Sequence, residues 1–343
     1  MIDVVIKNDA EQILREVRKT NTLLIAGKTG SPYAVNQICY YELPETVFSR
    51  YGNTGLSEAF KLAKDMGAPH VFVVNIQDTL DYLDLAETLR HYDFTYVAFT
   101  DLYLSDAFFD VARGDRRTHY ASYFLEASEG FNETVFFFTD KHASLYQDLD
   151  AFLGDMKKIA SDFKNSMPTA LDGKKICFVA NQLKQHAFAN VALAASLANT
   201  DLEKYPKGPF GDVVFNFDDF DVGDSELIFF KDYHLTGTQV ENLVNFSKDI
   251  TPQKSLLIDR IVKYVKREID LSPFHGKRFG AYQKLNIEKA LREKLDQMAN
   301  ILRSYKILDI RMIKDHATSG IVEVELDIWP ENSIERFSVV LEV

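Results

Sequence analysis

Hydrophobic and polar positions along the 343 residues change period repeatedly. Short unbroken apolar runs at Thr22–Ala26, His70–Asn75, Tyr96–Phe99, Thr134–Phe138 and Ile176–Val179 read as buried strands. Stretches of helical period lie between them. Ala10, Ile13, Leu14 and Val17 share one face of a helix over Asp9–Arg18. Leu56, Ala59, Phe60 and Ala63 do the same over Leu56–Met66, and Gly67 follows as a natural stop. Further helices are expected at Glu42–Phe48, Thr79–His91, Ser105–Ala112, Leu145–Lys164, His186–Asn199 and Thr238–Ser247. A polar Gly114–Arg117 turn is expected to lead into another helical stretch. Weaker strand signals fall at Asn36–Tyr41 and Glu226–Phe230, the latter inside a loop-rich segment over 205–235. Alternating buried strands and amphipathic helices predict an α/β layer with a mixed-sheet core.

The last quarter of the chain reads differently. Two amphipathic helices are expected, over Ser255–Glu268 and Ile287–Leu302. Two strands follow, Ile307–Ile313 and Gly320–Trp329. In the second, apolar residues alternate with acidic ones from Ile321 to Trp329, the pattern of a sheet with one buried face and one wet face. After a Pro330–Ser333 turn comes a final strand with Phe337, Val339, Val340, Leu341 and Val343. The sequence also opens on a strand, with Ile2, Val4, Val5 and Ile6. A strand with unpaired backbone groups is a template for pairing with another chain. Two of them, one at each end, predict a subunit woven into its neighbours.

Composition limits the function classes. The net charge of −12 argues against nucleic acid as a partner of the whole surface. The two cysteines, Cys39 and Cys177, read as buried thiols in a reducing compartment. No signal peptide is visible, and the longest apolar stretch, near Val191–Ala198, is too short to span a bilayer. The charge is uneven: Lys254–Lys314 holds 15 Lys and Arg against 7 Asp and Glu, a local balance of +8 that leaves −20 elsewhere. This excess reads either as solvated helix faces or as a basic face that docks an acidic partner.

Motifs for chemistry are missing. Gly27-Lys28-Thr29 follows a strand as a phosphate loop would, but Thr22 stands where the first glycine belongs, and Pro32 falls where the helix should begin. Gly52 and Gly55 lack the third glycine of a dinucleotide fingerprint. The histidines show no local metal-ligand spacing. Asp218, Asp219, Asp221 and Asp224 lack the ordered spacing of a calcium loop. No catalytic, cofactor-binding or metal-ligating residues are assigned, and the chain is not expected to be an enzyme.

Several segments taken in order resemble the contractile phage tail sheath family. They are the opening Ile2–Lys7 strand with Leu24-Ile25-Ala26, then Phe48–Gly52, Leu56–Ala63 and Val71–Val74. The stronger likeness lies in Ile258–Arg267, Ile287–Leu302 and Pro330–Phe337. The chain is short for the family and lacks its large outer insertions. The resemblance implies an N-terminal strand and linker arm over 1–20, an α/β outer domain over 21–250 and a C-terminal sheath domain over 251–335 facing an inner tube. It also implies an exchanged strand over 336–343. The C-terminal domain would have two helices plus strands, with a small sheet completed by strands of neighbouring subunits. It further implies a virion tail protein, assembled in the host cytoplasm, that polymerises as a helical homopolymer of stacked rings. Its partners would be the inner tail tube protein, the baseplate and the tail terminator, with no cofactor, nucleic acid or membrane insertion. Contraction would drive the tube through the host envelope for genome ejection. Lys263, Lys266, Arg267, Lys277 and Arg278 would face the tube. The alternatives are the sheath of a contractile bacteriocin or secretion-type machine, or an α/β nucleotide-binding enzyme.

Overall fold

The structure is a computed structural model. It describes residues 5–6, 21–92, 94–105, 111–113, 116–118, 123–124, 134–166, 175–200, 205–217, 226–233, 235–243, 245, 251–253, 256–257, 260, 280–297, 304–315, 320–329 and 335–342. The chain divides into two compact units, Met1–Leu256 and Leu257–Val343.

The first unit is built on a mixed sheet. Its strands are β1 (Val5–Ile6), β2 (Thr22–Lys28), β3 (Gln37–Tyr40), β4 (His70–Ile76), β5 (Tyr96–Phe99), β8 (Val135–Phe138), β9 (Ile176–Val179), β10 (Leu227–Tyr233) and β11 (Gly237–Glu241). They lie in the order β1-β3-β4-β2-β5-β8-β9-β10-β11. The six strands from β4 to β10 run parallel to one another, whereas β3 is antiparallel to β4 and β11 is antiparallel to β10. The parallel strands are apolar at nearly every position because both faces of the sheet are covered. On one face, Leu24, Phe72, Val97 and Phe136 pack with Tyr82, Leu85 and Leu89 of a helix α3 (Asp81–Leu89) and with Phe152, Met156 and Phe163 of α4 (Leu149–Ser166). On the other, Ile25, Val73, Tyr96 and Phe137 pack with α2 (Gly55–Asp65) and α5 (Ala189–Ala198). A shorter helix α1 (Pro44–Tyr51) precedes α2 and adds Val47 and Tyr51 to this second core. All ten residues of α5 are buried, and its run of alanines lets the helix approach the sheet closely.

Val111–Arg113 and Arg116–Thr118 form an antiparallel pair, β6 and β7, at the end of the expected Ser105–Ala112 helix and across the expected Gly114–Arg117 turn, while residues 106–110 lie outside the described residues. Gly114-Asp115 between them is a two-residue hairpin signal. A further expected helix, Thr238–Ser247, begins as a strand. Gly237–Glu241 pairs antiparallel with β10 instead of opening a helix. Gly237 has φ 74°, and Thr238 and Val240 are β-branched, so the segment favours a strand once a sheet edge is available. Most of the expected Ser255–Glu268 helix and all of Asp9–Arg18 lie outside the described residues.

The second unit holds helix α6 (Ala281–Asp296) and a three-stranded antiparallel sheet in the order β12 (Ser304–Asp315), β13 (Gly320–Trp329), β14 (Glu335–Glu342). Ile287, Leu291 and Leu295 of α6 are buried, as are Ile310, Val322, Val324 and Leu326 of the sheet.

Candidate assembly strands and a closed sheet crevice

The alternation read in Ile321–Trp329 is realised in β13 from Val322 to Leu326, whereas Asp327, expected on the wet face, is buried. Val322, Val324 and Leu326 are fully buried, while Glu323 and Glu325 are half-buried. A slip of one residue would exchange these two sets, so burial pins the register. β14 lies along β13 over eight positions, from Ile321↔Glu342 to Ile328↔Glu335. Phe337, Val339, Val340 and Leu341 stand opposite Leu326, Val324, Glu323 and Val322. Val343 lies outside the described residues.

The opposite edge of this sheet is irregular. β12 carries an extra residue between Ile307 and Asp309 and another between Met312 and Lys314. Such bulges twist an edge away from incoming strands. β12 is tied instead to its own unit. Lys284 of α6 meets Asp309 at 2.8 Å, the Tyr305 hydroxyl donates to Asp296 at 2.6 Å, and Arg311 donates to Glu323 across the ladder at 2.6 Å. The bond from Lys284 holds the Asp309 carboxyl below its ordinary pKa.

The opening strand sits elsewhere. β1 pairs parallel with β3, Val5 against Gln37 and Ile6 against Ile38. Within one chain, the described residues place the opening and closing strands on two different sheets. Ile2 and Val4 lie outside the described residues, as do Lys263, Lys266, Arg267, Lys277, Arg278 and the Asp218–Asp224 cluster.

The place where an α/β enzyme would hold its ligand is the crevice where strand order reverses, here between β2 and β5. This chain fills it with its own side chains. A Cβ built on Gly27 would lie 1.8 Å from the Thr100 hydroxyl oxygen, so glycine is required for β2 and β5 to close on each other. Next to it, the Lys28 N–H donates to the Asp101 carboxylate at 3.2 Å, the Tyr82 hydroxyl donates to the same oxygen, and the Lys28 ammonium donates to Thr79. Burial raises the Asp101 pKa, and the Tyr82 bond offsets part of that rise. Asn75 donates to the carbonyls of Ser31 (2.8 Å) and Tyr33 (3.1 Å) and accepts from Thr29 at 2.8 Å. Asn190, buried in α5, donates to the carbonyls of Phe99 and Phe137 at the ends of β5 and β8. Gly27 and Lys28 are thus the last two residues of β2, and the polar groups of Lys28 and Thr29 bond to Asp101, Thr79 and Asn75.

Cys39 and Cys177 are buried free thiols. Among the described residues, no three His, Cys, Asp or Glu side chains are grouped to hold a metal ion, and no helix is long and apolar enough to cross a membrane.

No protein-family model matches the sequence, and no curated protein does. Solved structures do match its fold. A sheath tail protein from Desulfitobacterium hafniense is 10% identical, with TM-score 0.59 over 94% of this chain and 96% of that one. A sheath tail protein from Listeria innocua is 11% identical, with TM-score 0.59 over 97% of this chain and 98% of that one. A chain of the anti-feeding prophage baseplate in its contracted state is 13% identical, with TM-score 0.57 over 84% and 83% of the two chains. The fold of this chain is that of sheath tail proteins along nearly its whole length.

Proposed function

We propose that the protein is the sheath subunit of a contractile tail, which polymerises helically around an inner tube and shortens to drive that tube through a cell envelope. The observation that carries this reading is the whole-length likeness to two sheath tail proteins, at 94% and 97% of this chain, with no separate domain left over. The closed crevice between β2 and β5 adds support, since the polar groups an α/β enzyme would turn to a ligand bond to one another.

The last strand supplies a means of linking copies. The β13–β14 ladder uses only backbone groups and an alternating apolar pattern, so a neighbour's strand can make the same bonds in the same register. The intrachain and exchanged forms are then nearly equal in contact energy, and a high local concentration favours exchange. A joint of this kind resists pulling along eight paired positions while the chain on either side absorbs rotation. Residues 7–9 and 330–333 are assigned that hinge role. Contraction needs no nucleotide in this scheme, because a metastable assembled form releases energy stored during polymerisation.

Lys263, Lys266, Arg267, Lys277 and Arg278 are assigned to the contact with an acidic inner tube. Exposed charge pairs contribute about 0–1 kcal/mol each, which suits a contact that holds register and then lets go. The likeness to a chain of the anti-feeding prophage baseplate favours a second reading, in which the same subunit serves a contractile injection machine other than a phage.

Negative-stain microscopy of the purified protein is the test. Striated tubes or stacked rings are expected. Monodisperse small particles under all assembly conditions would refute the reading and favour the enzyme alternative.

A further inference from the structure

We infer that Leu43, which stands just past β3, seats in the cavity beside β11 of a second copy, with Glu45 set against Lys207 of that copy. This pairing rests on the sheath reading and gives it a side-to-side contact between first units.

The cavity has a volume of about 320 Å³ and lies between the 205–210 segment and β11. Tyr205, Pro206 and Phe210 give it apolar walls, and the exposed Lys207 supplies a cation. The rest of the chain holds it open. The Tyr205 hydroxyl donates to the Val240 carbonyl at 2.8 Å, which ties the segment to the strand. The Ser196 hydroxyl of α5 donates to the Lys207 carbonyl at 2.9 Å. A Cβ built on Gly208 would lie 2.4 Å from the Met66 methyl carbon, so the backbone rests against Met66 there. Phe210 packs on Phe230 of β10 with ring centroids 5.0 Å apart. A preformed cavity of this kind needs little ordering when it is filled.

Leu43 is 60% exposed. Its backbone is extended, with φ −112° and ψ 134°, and its carbonyl accepts the Thr46 N–H at 3.2 Å at the start of α1. An exposed leucine alone says little, and its flanks decide the matter. Glu42 and Glu45 stand on either side, both exposed. The acids beside other exposed leucines are engaged within the chain. Asp78 accepts the Leu80 N–H, and Asp81 accepts from Asn36 and from the Asp78 N–H. Asp148, near Leu145, accepts the Ala151 N–H. Leu235 stands beside Thr236, on the rim of the same cavity. Its seating in a second copy would be reciprocal and would close a pair.

Placement fits a polymer. In the strand order, β3 and β11 are seven spacings apart, or about 33 Å. The leucine and the cavity therefore stand toward opposite ends of one continuous sheet. A contact between unlike surfaces repeats from copy to copy, as a helical assembly requires. The buried leucine supplies affinity, and the Glu45–Lys207 pair sets register.

The test uses the full chain. Leu43→Ser, Glu45→Lys and Lys207→Glu all replace exposed side chains, and circular dichroism checks that each variant folds. The critical concentration for tube assembly, read by sedimentation, should rise about tenfold or more for Leu43→Ser. Each charge reversal should raise it about threefold, and the Glu45→Lys/Lys207→Glu double variant should return to within about twofold of wild type. In parallel, Leu43→Cys and Gln239→Cys chains are mixed and oxidised with copper phenanthroline. Disulfide-linked dimers are expected from the mixture and not from either variant alone, since Cys39 and Cys177 are buried. If the wild-type chain forms tubes, then wild-type assembly by Leu43→Ser, or no linked dimer from the mixture, overturns the inference and leaves the sheath reading standing. Dimers from Gln239→Cys chains alone would mean that cavity meets cavity, which also overturns it. If the wild-type chain forms no tubes or rings, the sheath reading falls, and linking of the mixed variants at high concentration decides the contact by itself.

Discussion

Replacing Gly27 with alanine tests the claim that the sheet crevice is closed by packing. The added Cβ would sit 1.8 Å from the Thr100 hydroxyl oxygen and 3.1 Å from its Cβ, so the clash is with one side-chain atom. Thr100 must rotate, or β2 and β5 must part. Overpacking of this kind costs about 1–3 kcal/mol. Rotation also breaks the weak 3.5 Å bond from the Thr100 hydroxyl to the Ala26 carbonyl, which contributes about 0.5–1.5 kcal/mol. Alanine recovers about 0.4–1 kcal/mol by narrowing the unfolded ensemble. The net expectation is a loss of about 1–3 kcal/mol, or a fall in Tm of about 2–10 °C for a unit of this size. The assay is thermal unfolding followed by near-ultraviolet circular dichroism, which reads the aromatic core. Thr100→Ala removes the colliding oxygen, so the double variant should recover most of the loss, a coupling of about 1–2 kcal/mol. Wild-type stability in Gly27→Ala, or no relief from Thr100→Ala, would refute the packing argument. A stable Gly27→Ala chain would point back to an open ligand crevice.

Removing residues 1–7 or 337–343 should leave a folded first unit that cannot form long tubes; tubes of normal length from either truncation, seen by microscopy, would falsify the coupling role. Reversing Lys266 and Arg267 to glutamate should weaken docking to the inner tube more than self-assembly, and unchanged co-sedimentation with the tube at low salt would sink the electrostatic proposal. Burial holds the pKa of both His70 and His186 below the ordinary value. The unfolded chain therefore binds protons that the folded chain refuses, so stability should fall as pH drops from about 6.5 through the lowered pKa values. Asp101, with its raised pKa, contributes the opposite slope at lower pH. His70→Gln should flatten the fall between pH 7 and 5, and an unchanged slope in urea titrations would count against His70 as its source.

The parallel core was legible in the sequence because burial on both faces leaves no room for polar residues. Tyr96–Phe99 and Ile176–Val179 are strands with the boundaries their apolar runs indicated. The α/β class followed from the same pattern. The polar edges were harder to read. Gly237–Glu241 carries one buried residue, Val240, so the choice between helix and strand there depends on whether a partner edge lies alongside. The closed crevice could be read only as a missing motif. The closeness of Thr100 to Gly27, 73 residues apart, arises when the two strands lie side by side.

The sequence by itself determined that strands stand at both ends and that the segment Ile321–Trp329 has one wet face, because an alternating pattern specifies which side is buried whatever the neighbour is. Only the tertiary structure decided which edges those strands meet. It set β14 on β13, put β1 on β3 in a different sheet and blunted β12 with two bulges. Strand pairing is made by backbone groups that every residue carries, so the identity of the partner is not written in any side chain. It emerges from the order in which the rest of the chain packs.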